Sequence, residues 1–201
     1  MSGVARNLSC DLPQCLVVTY ILDLPFGRGR HFPPNAGNAL DTIVAGWSAS
    51  GINTFKSGFQ LAIIATNNSL ANKFGAGQVR PNVIPGYQKS ISGSLHASAR
   101  AGQPVLKKTC FTAPADVAFG NQPRTDGTLR TQVTDNWDFS LGKKGDLRDD
   151  FVLLFRAEAF NVLSRVQFGD PNLNASTQQF GVLTTQANSP RSFQFSLQLN
   201  Y

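Results

Sequence analysis

The side chains best suited to chemistry in this chain are few and far apart. Histidine occurs twice, as His31 and His96, and cysteine three times, as Cys10, Cys15 and Cys110. A zinc site needs ligands at short, repeated spacings, and no second Cys or His stands at such a spacing near any of these. Two isolated histidines supply neither a Ser-His-Asp nor a Cys-His arrangement. The acidic pair Asp149-Asp150 falls in the polar turn "DLRDD", with no partner at catalytic spacing. The Gly-x-Gly of "FGRGR" (Phe26–Arg30) is not followed by Rossmann spacing and reads as a flexible turn. "NNS" (Asn67–Ser69) and "NAS" (Asn174–Ser176) fit the glycosylation sequon, which matters only in a secretory pathway that this sequence gives no sign of entering. Cys10 and Cys15 are close enough to bridge, but unpaired, incidental thiols are the simpler expectation. No catalytic residue, metal or cofactor is expected, and the chain does not read as an enzyme.

Charge points no more strongly to a partner. The formal charge is +6 over 201 residues, but only 15% of residues are charged, against an ordinary share of about 25%. Basic residues are scattered, with no run longer than Lys107-Lys108 or Lys143-Lys144, so nucleic-acid binding is not expected. The rest of the composition leans one way: 15 Phe, one Met, 18 Gly, many Asn, Gln, Ser and Thr, and few helix-forming charged residues. That mixture favours strands and long polar loops. No stretch approaches the ~18 apolar residues of a membrane helix. The N-terminal "MSGVARNLSCDLPQC" lacks the basic start and apolar run of a signal peptide.

The elements that would position any site appear as runs of period two. The chain closes on "RSFQFSLQLNY", where Phe193, Phe195, Leu197, Leu199 and Tyr201 alternate with Gln194, Ser196, Gln198 and Asn200. "QCLVVTYILDL" (Gln14–Leu24) alternates in part. Thr42–Phe55 reads as a strand with Trp47, Ala49, Gly51 and Phe55 on one parity. "DNWDFSLGKKG" (Asp135–Gly145) puts Trp137, Phe139 and Leu141 on one side. "FVLLFRAEAFNVL" (Phe151–Leu163) sends Phe151, Leu153, Phe155, Ala157 and Ala159 one way and Arg156 and Glu158 the other, although its Phe-Arg-Ala-Glu-Ala stretch also tolerates a helix. Pro25–Leu40 is turn material. Residues 57–133 and 164–190 show no sustained period.

A structureless stretch as long as 57–133 argues against a compact domain, whereas long loops are normal outside a membrane barrel. The connections sort in that sense. If the short turn Asp146–Asp150 lies in the periplasm, so does Pro25–Leu40, the two long loops fall outside, and the last strand runs inward. A sandwich has no reason to sort its loops this way.

Several segments carry a family resemblance: "DLPFGRGRHF", "AGWSASGINTFKSGFQLAI", "RPNVIPG", "FGN", "NWDFSLGKK", "FRAEAFNVLSRVQFGDPN" and "FSLQLNY". In this order, across roughly Leu22–Tyr201, they resemble the C-terminal barrel region of TonB-dependent outer-membrane receptors, specifically the Oar-like group with a carboxypeptidase-regulatory-like front domain. The resemblance implies an all-β fold: antiparallel, up-and-down strands that form the last part of a transmembrane β-barrel of about 22 strands around a plug. Residues 1–13 stay unassigned and 14–201 are expected to be the partial barrel. In the family the plug and the TonB box lie near the N-terminus, so this chain is expected to be a piece, from a truncated gene or a split reading frame, that meets TonB only through the missing part. Its expected place is the outer membrane of a Gram-negative bacterium.

On that reading the apolar sides meet lipid, Trp47 and Trp137 (with Tyr201) sit in the interfacial girdle, and Arg156 and Glu158 face the lumen. Phe193, Phe195, Leu197, Leu199 and Tyr201 resemble the terminal signal read by the outer-membrane assembly machinery, by strand addition to an open edge. The expected partners are lipid, that machinery and the remaining barrel and plug. The expected function is active uptake of an unknown solute, for which the piece alone is not competent. The alternative is a soluble β-sandwich binding module that uses loops 57–133 and 164–190. That module would seal its apolar strand faces between two layers; a barrel wall leaves them open.

Overall fold

The computed structural model describes residues 11–26, 43, 45–66, 79–90, 94–148 and 151–201. Its strands in chain order are β1 (Cys15–Asp23), β2 (Trp47–Lys56), β3 (Gln60–Leu61), β4 (Asn82–Val83), β5 (Phe111–Thr112), β6 (Asp126–Arg130), β7 (Thr134–Arg148), β8 (Phe151–Phe160) and β9 (Ser192–Asn200). A short α-helix, α1 (Leu95–Arg100), is capped by the Ser94 hydroxyl accepting from the Ala97 N–H. The fold is all-β, and its two compact units are separate bodies, each with its own logic.

The first unit is a five-stranded antiparallel sheet in the order β1-β2-β7-β8-β9. It draws on Gln14–Lys56, Thr134–Val166 and Ser189–Tyr201. Alternating β-branched and aromatic residues favour a pleated strand, and register then fixes which side chains share a face. Four of the strands run 9 or 10 residues and β7 runs 15; a tilted membrane strand needs about 9–11.

Strand ends differ from the periodic reading where backbone geometry decides. β2 begins at Trp47, not Thr42, because Gly46 takes a positive φ of 76° immediately before it. A Cβ there would collide with the Lys144 carbonyl, and the Gly46 carbonyl accepts from the Lys144 N–H at 2.9 Å; only glycine fits. β8 is a strand, not a helix, and stops at Phe160 because Asn161 turns into the left-handed region at φ 49°. β7 runs past the expected turn start: Asp146 and Arg148 still pair with Val152 and Phe151, across a bulge. Asp149-Asp150 and nearly all of Pro25–Leu40 lie outside the described residues.

The second unit overturns the reading of 57–133 and 164–190 as bare loops. Ser57–Val133 and Gln167–Asn188, with the described residues before Gln14, make a body with its own core. Two small sheets, β3-β6 and β4-β5, frame it. Leu61, Ile63, Leu106, Cys110, Leu129 and Phe180 are buried together, and the Phe111 and Phe180 rings meet edge-on at 5.4 Å. The apolar residues come in short pieces from distant segments, so no period announces them. Asp11, in the segment left unassigned, belongs here: its Oδ2 accepts from Arg130 Nη2 at 2.8 Å and from Gln60 Nε2 at 2.5 Å. Those two donors, Arg130 first, hold its carboxyl below the usual range.

Candidate functional site

The sheet has two unlike faces. Cross-strand register puts Leu16, Val18, Tyr20 and Leu22 of β1 on the same side as Ala49 and Phe55 of β2, Trp137, Phe139 and Leu141 of β7, Leu153, Phe155, Ala157 and Ala159 of β8, and Phe193, Phe195, Leu197 and Leu199 of β9. This face stays open in its β9 region: Phe195 and Leu197 are each 69% exposed. Asn53, between Val18 and Trp137, is a polar residue within this face; it is buried and its Oδ1 has no partner among the described residues. The Tyr20 ring covers Gly51, so closely that a Cβ there would lie 2.5 Å from Tyr20 Oη.

The opposite face carries Thr19, Ser48, Ser50, Ser140, Gln194, Ser196 and Gln198, with the apolar Val17, Ile21, Ile52, Leu154 and Phe160 among them. Arg156 and Glu158 stand here on one strand, 3.7 Å apart. Arg156 lies in a row with Ser48, Gly142 and Ser196.

Aromatic and charged groups bracket the apolar face at both ends. At the end where β7 turns into β8, Trp47 packs edge-on against Phe155 at 6.4 Å and its Nε1 donates to the Ile43 carbonyl. Lys143 Nζ lies 5.2 Å from the Trp47 ring centroid and donates to the carbonyls of Ile43 and Ala45. At the other end, from which 57–133 and 161–191 depart, Trp137 meets Phe55 edge-on at 5.9 Å. Its Nε1 donates to Asp135 Oδ1 at 2.8 Å, and Asp135 Oδ2 lies 3.3 Å from Arg165 Nε. The two expected girdle tryptophans therefore stand on one face at opposite ends of the sheet. Sequence reasoning missed their partners Lys143, Asp135, Phe55 and Phe155. The available signal was a charge at each end of an apolar parity, Asp135 and Lys143 flanking Trp137, Phe139 and Leu141.

The expected terminal signal, Phe193, Phe195, Leu197 and Leu199 with Tyr201 beyond, lies on and just after β9, which pairs only with β8 among the described strands. β1 likewise pairs only with β2.

The second unit holds a buried ionic cluster. Asp126 accepts from Lys89 Nζ, from Gln122 Nε2 at 3.0 Å, and from the Thr128 hydroxyl and N–H at 2.6 and 3.0 Å. Burial pushes the Asp126 carboxyl up, but the donors outweigh it and hold its pKa down at about 2. Hydrogen bonds to the ionised form have this effect. Every acceptor site of the carboxylate is engaged internally, which is the chemistry of an anchor.

The remaining candidates do not converge. Cys15 is exposed and Cys110 buried, and both are free thiols. Cys10, His31, Asn67–Ser69 and the Gly27–Arg30 part of "FGRGR" lie outside the described residues. His96 lies edge-on to Phe168 at 5.2 Å, and Asn174 Oδ1 accepts from the Ser176 N–H. Among the described residues no three His, Cys, Asp or Glu side chains group as metal ligands, and no helix is long and apolar enough to cross a membrane.

An antiparallel sheet apolar on one side, mostly polar on the other and with aromatics at both ends has the make-up of a membrane-spanning β-barrel wall. The chain belongs to the family of the outer membrane beta barrel domain, whose model matches residues 4–194. That family puts it in the outer membrane. No curated protein and no solved structure matches it.

Proposed function

We propose that this chain is part of the barrel of a TonB-dependent, Oar-like receptor in a Gram-negative outer membrane, and that the assembled receptor takes up a solute actively. The observation that carries this reading is the open apolar face from Leu16 to Leu199, with Phe195 and Leu197 each 69% exposed. A soluble sandwich would seal that face under a second sheet, whereas the other described sheets have only two strands each. In lipid the same exposure is favourable, since hydrocarbon replaces water around the rings. Arg156 and Glu158 then face the interior, where a charge avoids the ~2–4 kcal/mol cost of mid-depth lipid exposure. The ends with Trp47 and Trp137 meet the two interfaces, with the Trp137 end outermost.

The outer edges of β1 and β9 have no partner among the described strands, and each unmet N–H or C=O costs several kcal/mol in hydrocarbon. The sheet is therefore completed by further strands and a plug, and by itself does not transport. TonB acts through that other part. β9 carries the signal taken up by the assembly machinery, by strand addition at its open edge. The role is non-catalytic and needs no cofactor.

The test is a cysteine scan of β9 in a chain whose native Cys10, Cys15 and Cys110 are changed to Ser. A fluorophore at residues 193–199 is exposed to a lipid-phase quencher and then to an aqueous one. Lipid quenching at Phe193, Phe195, Leu197 and Leu199, alternating with aqueous quenching at Gln194, Ser196 and Gln198, supports the reading. Uniform aqueous quenching, with the chain in the soluble fraction, refutes it.

A further inference from the structure

The second unit keeps a pocket against its core. Leu61, Val105, Leu106, Leu129, Phe168 and Leu183 line a space of about 180 Å³, and the first four of them are buried. All of its lining comes from the second unit. A close-packed core leaves few voids larger than a water molecule, so a space of this size needs walls that cannot fall together. Hydrogen bonds hold them. The Val105 N–H donates to the Gly181 carbonyl and the Lys107 N–H to the Lys89 carbonyl, each at 2.8 Å, so the segment bearing Val105 and Leu106 is tied on both sides. The Phe168 N–H donates to Gln132 Oε1 at 2.8 Å and the Gly169 N–H to the Thr185 carbonyl at 2.9 Å. The His96 ring meets the Phe168 ring edge-on at 5.2 Å. Leu95, which also lines the pocket at the start of α1, is partly exposed and marks its mouth.

We infer that this pocket binds a small, uncharged, apolar molecule about the size of one aromatic ring. The polar side chains on its wall are committed elsewhere. The Thr128 hydroxyl donates to Asp126 Oδ1 at 2.6 Å, and Thr131 Oγ1 accepts from the Phe59 N–H at 2.9 Å. Arg130 donates to Asp11 Oδ2 at 2.8 Å and to the Gly58 carbonyl at 2.9 Å, and Gln132 Oε1 holds Phe168. That leaves the half-buried Ser90 on the lining. A water held inside a protein needs about two to four polar partners, and one hydroxyl does not supply them. A charged ligand fares worse, because the guanidinium on the wall is already paired. The size fits a single ring: a cavity of about 150 Å³ lined by Leu, Ile and Phe stays dry and takes up benzene. The pocket lies wholly within the second unit, so this inference does not rest on what the apolar face of the sheet meets.

The test is a titration of the whole chain, in detergent micelles and with isotope-labelled leucine methyls, by fluorobenzene. Saturable shifts at Leu61, Leu106 and Leu129 are expected, with magnetisation transfer from the ring protons to the same methyls. Leu197, on the sheet, reports the unsaturable drift caused by a probe that merely dissolves in the micelle. Fluorobenzoate, the same ring carrying a carboxylate, should give no saturable shift. Leu183→Trp fills the pocket and should abolish the saturable shifts while the amides of Leu61 and Leu129 stay protected from hydrogen exchange. Should that variant lose its protection, the ring-to-methyl transfer in the unsubstituted chain decides alone. Shifts at Leu61 that follow those at Leu197 without saturating overturn the inference. So does fluorobenzoate binding as well as fluorobenzene, or a saturable shift that survives in folded Leu183→Trp. Each of these failures leaves the reading of the sheet untouched.

Discussion

The two units of this chain treat the same side chain in opposite ways. Phe195 stands 69% exposed on β9, whereas Phe180, in a segment with no regular strand, is 1% exposed. Around Phe195 every second residue is apolar and every other one polar, and its neighbour across the ladder is the small Ala157. Around Phe180 no period exists, yet Phe111, Leu61, Leu129 and Cys110 close over it. Apolar periodicity therefore reports which way side chains point, not whether they are covered. What covers them depends on the solvent each face meets. The sheet looks inside-out in water and is ordinary in hydrocarbon, while the body built from 57–133 and 167–188 obeys the rules of a water-soluble core.

That contrast can be attacked by substitution. The largest effect should come from Phe180→Ala, which removes a buried ring and should cost the second unit ~3–5 kcal/mol. Hydrogen exchange near Leu61 and Leu129 would report it, and Phe195→Ala should leave the same amides protected. Equal loss from both substitutions would erase the distinction between the units. Next comes Leu197→Arg, which should weaken insertion into vesicles by roughly 2–4 kcal/mol, while Gln198→Arg on the hydrophilic side costs little. Urea titration of the inserted fraction measures both, and a matching penalty for the two would mean that the faces are not chemically different.

The smallest effect is one of pH. The Asp126 carboxyl is depressed from 3.8 to about 2, so its contribution to the second unit is fully present above 3.8 and is lost as pH falls through about 2. Its size is about 2 kcal/mol. Acid melts of that unit should lose this slope in Asp126→Asn, and an unchanged slope would show that other carboxylates carry the acid sensitivity.

How much of this was readable from residues alone follows from the same contrast. The five long strands were legible because alternation runs along them, in part for β1 and beside a tolerated helix for β8, and Trp47 and Trp137 stood near the ends of their runs. The end of β8 at Asn161 and the start of β2 after Gly46 were not legible, because a positive φ is a property of the folded backbone. Lys143 and Asp135 share the parity of Trp137, Phe139 and Leu141, but only register sets them beside the tryptophans. The second core was hidden because its apolar residues come in short pieces far apart in the chain, Leu61 and Ile63, Val105 and Leu106, Cys110 and Phe111, and Phe180. Lys89 and Asp126 meet across 37 positions, and nothing local in the sequence joins them.

One property of the sheet reaches beyond its own residues. Each of its four seams is antiparallel, so β1 and β9, its outermost staves, point the same way. A cask whose neighbouring staves all oppose one another must have an even count. In the barrel proposed above, whatever closes this wall contributes an odd number of strands, and two copies joined head to tail would meet along a parallel junction of β9 with β1.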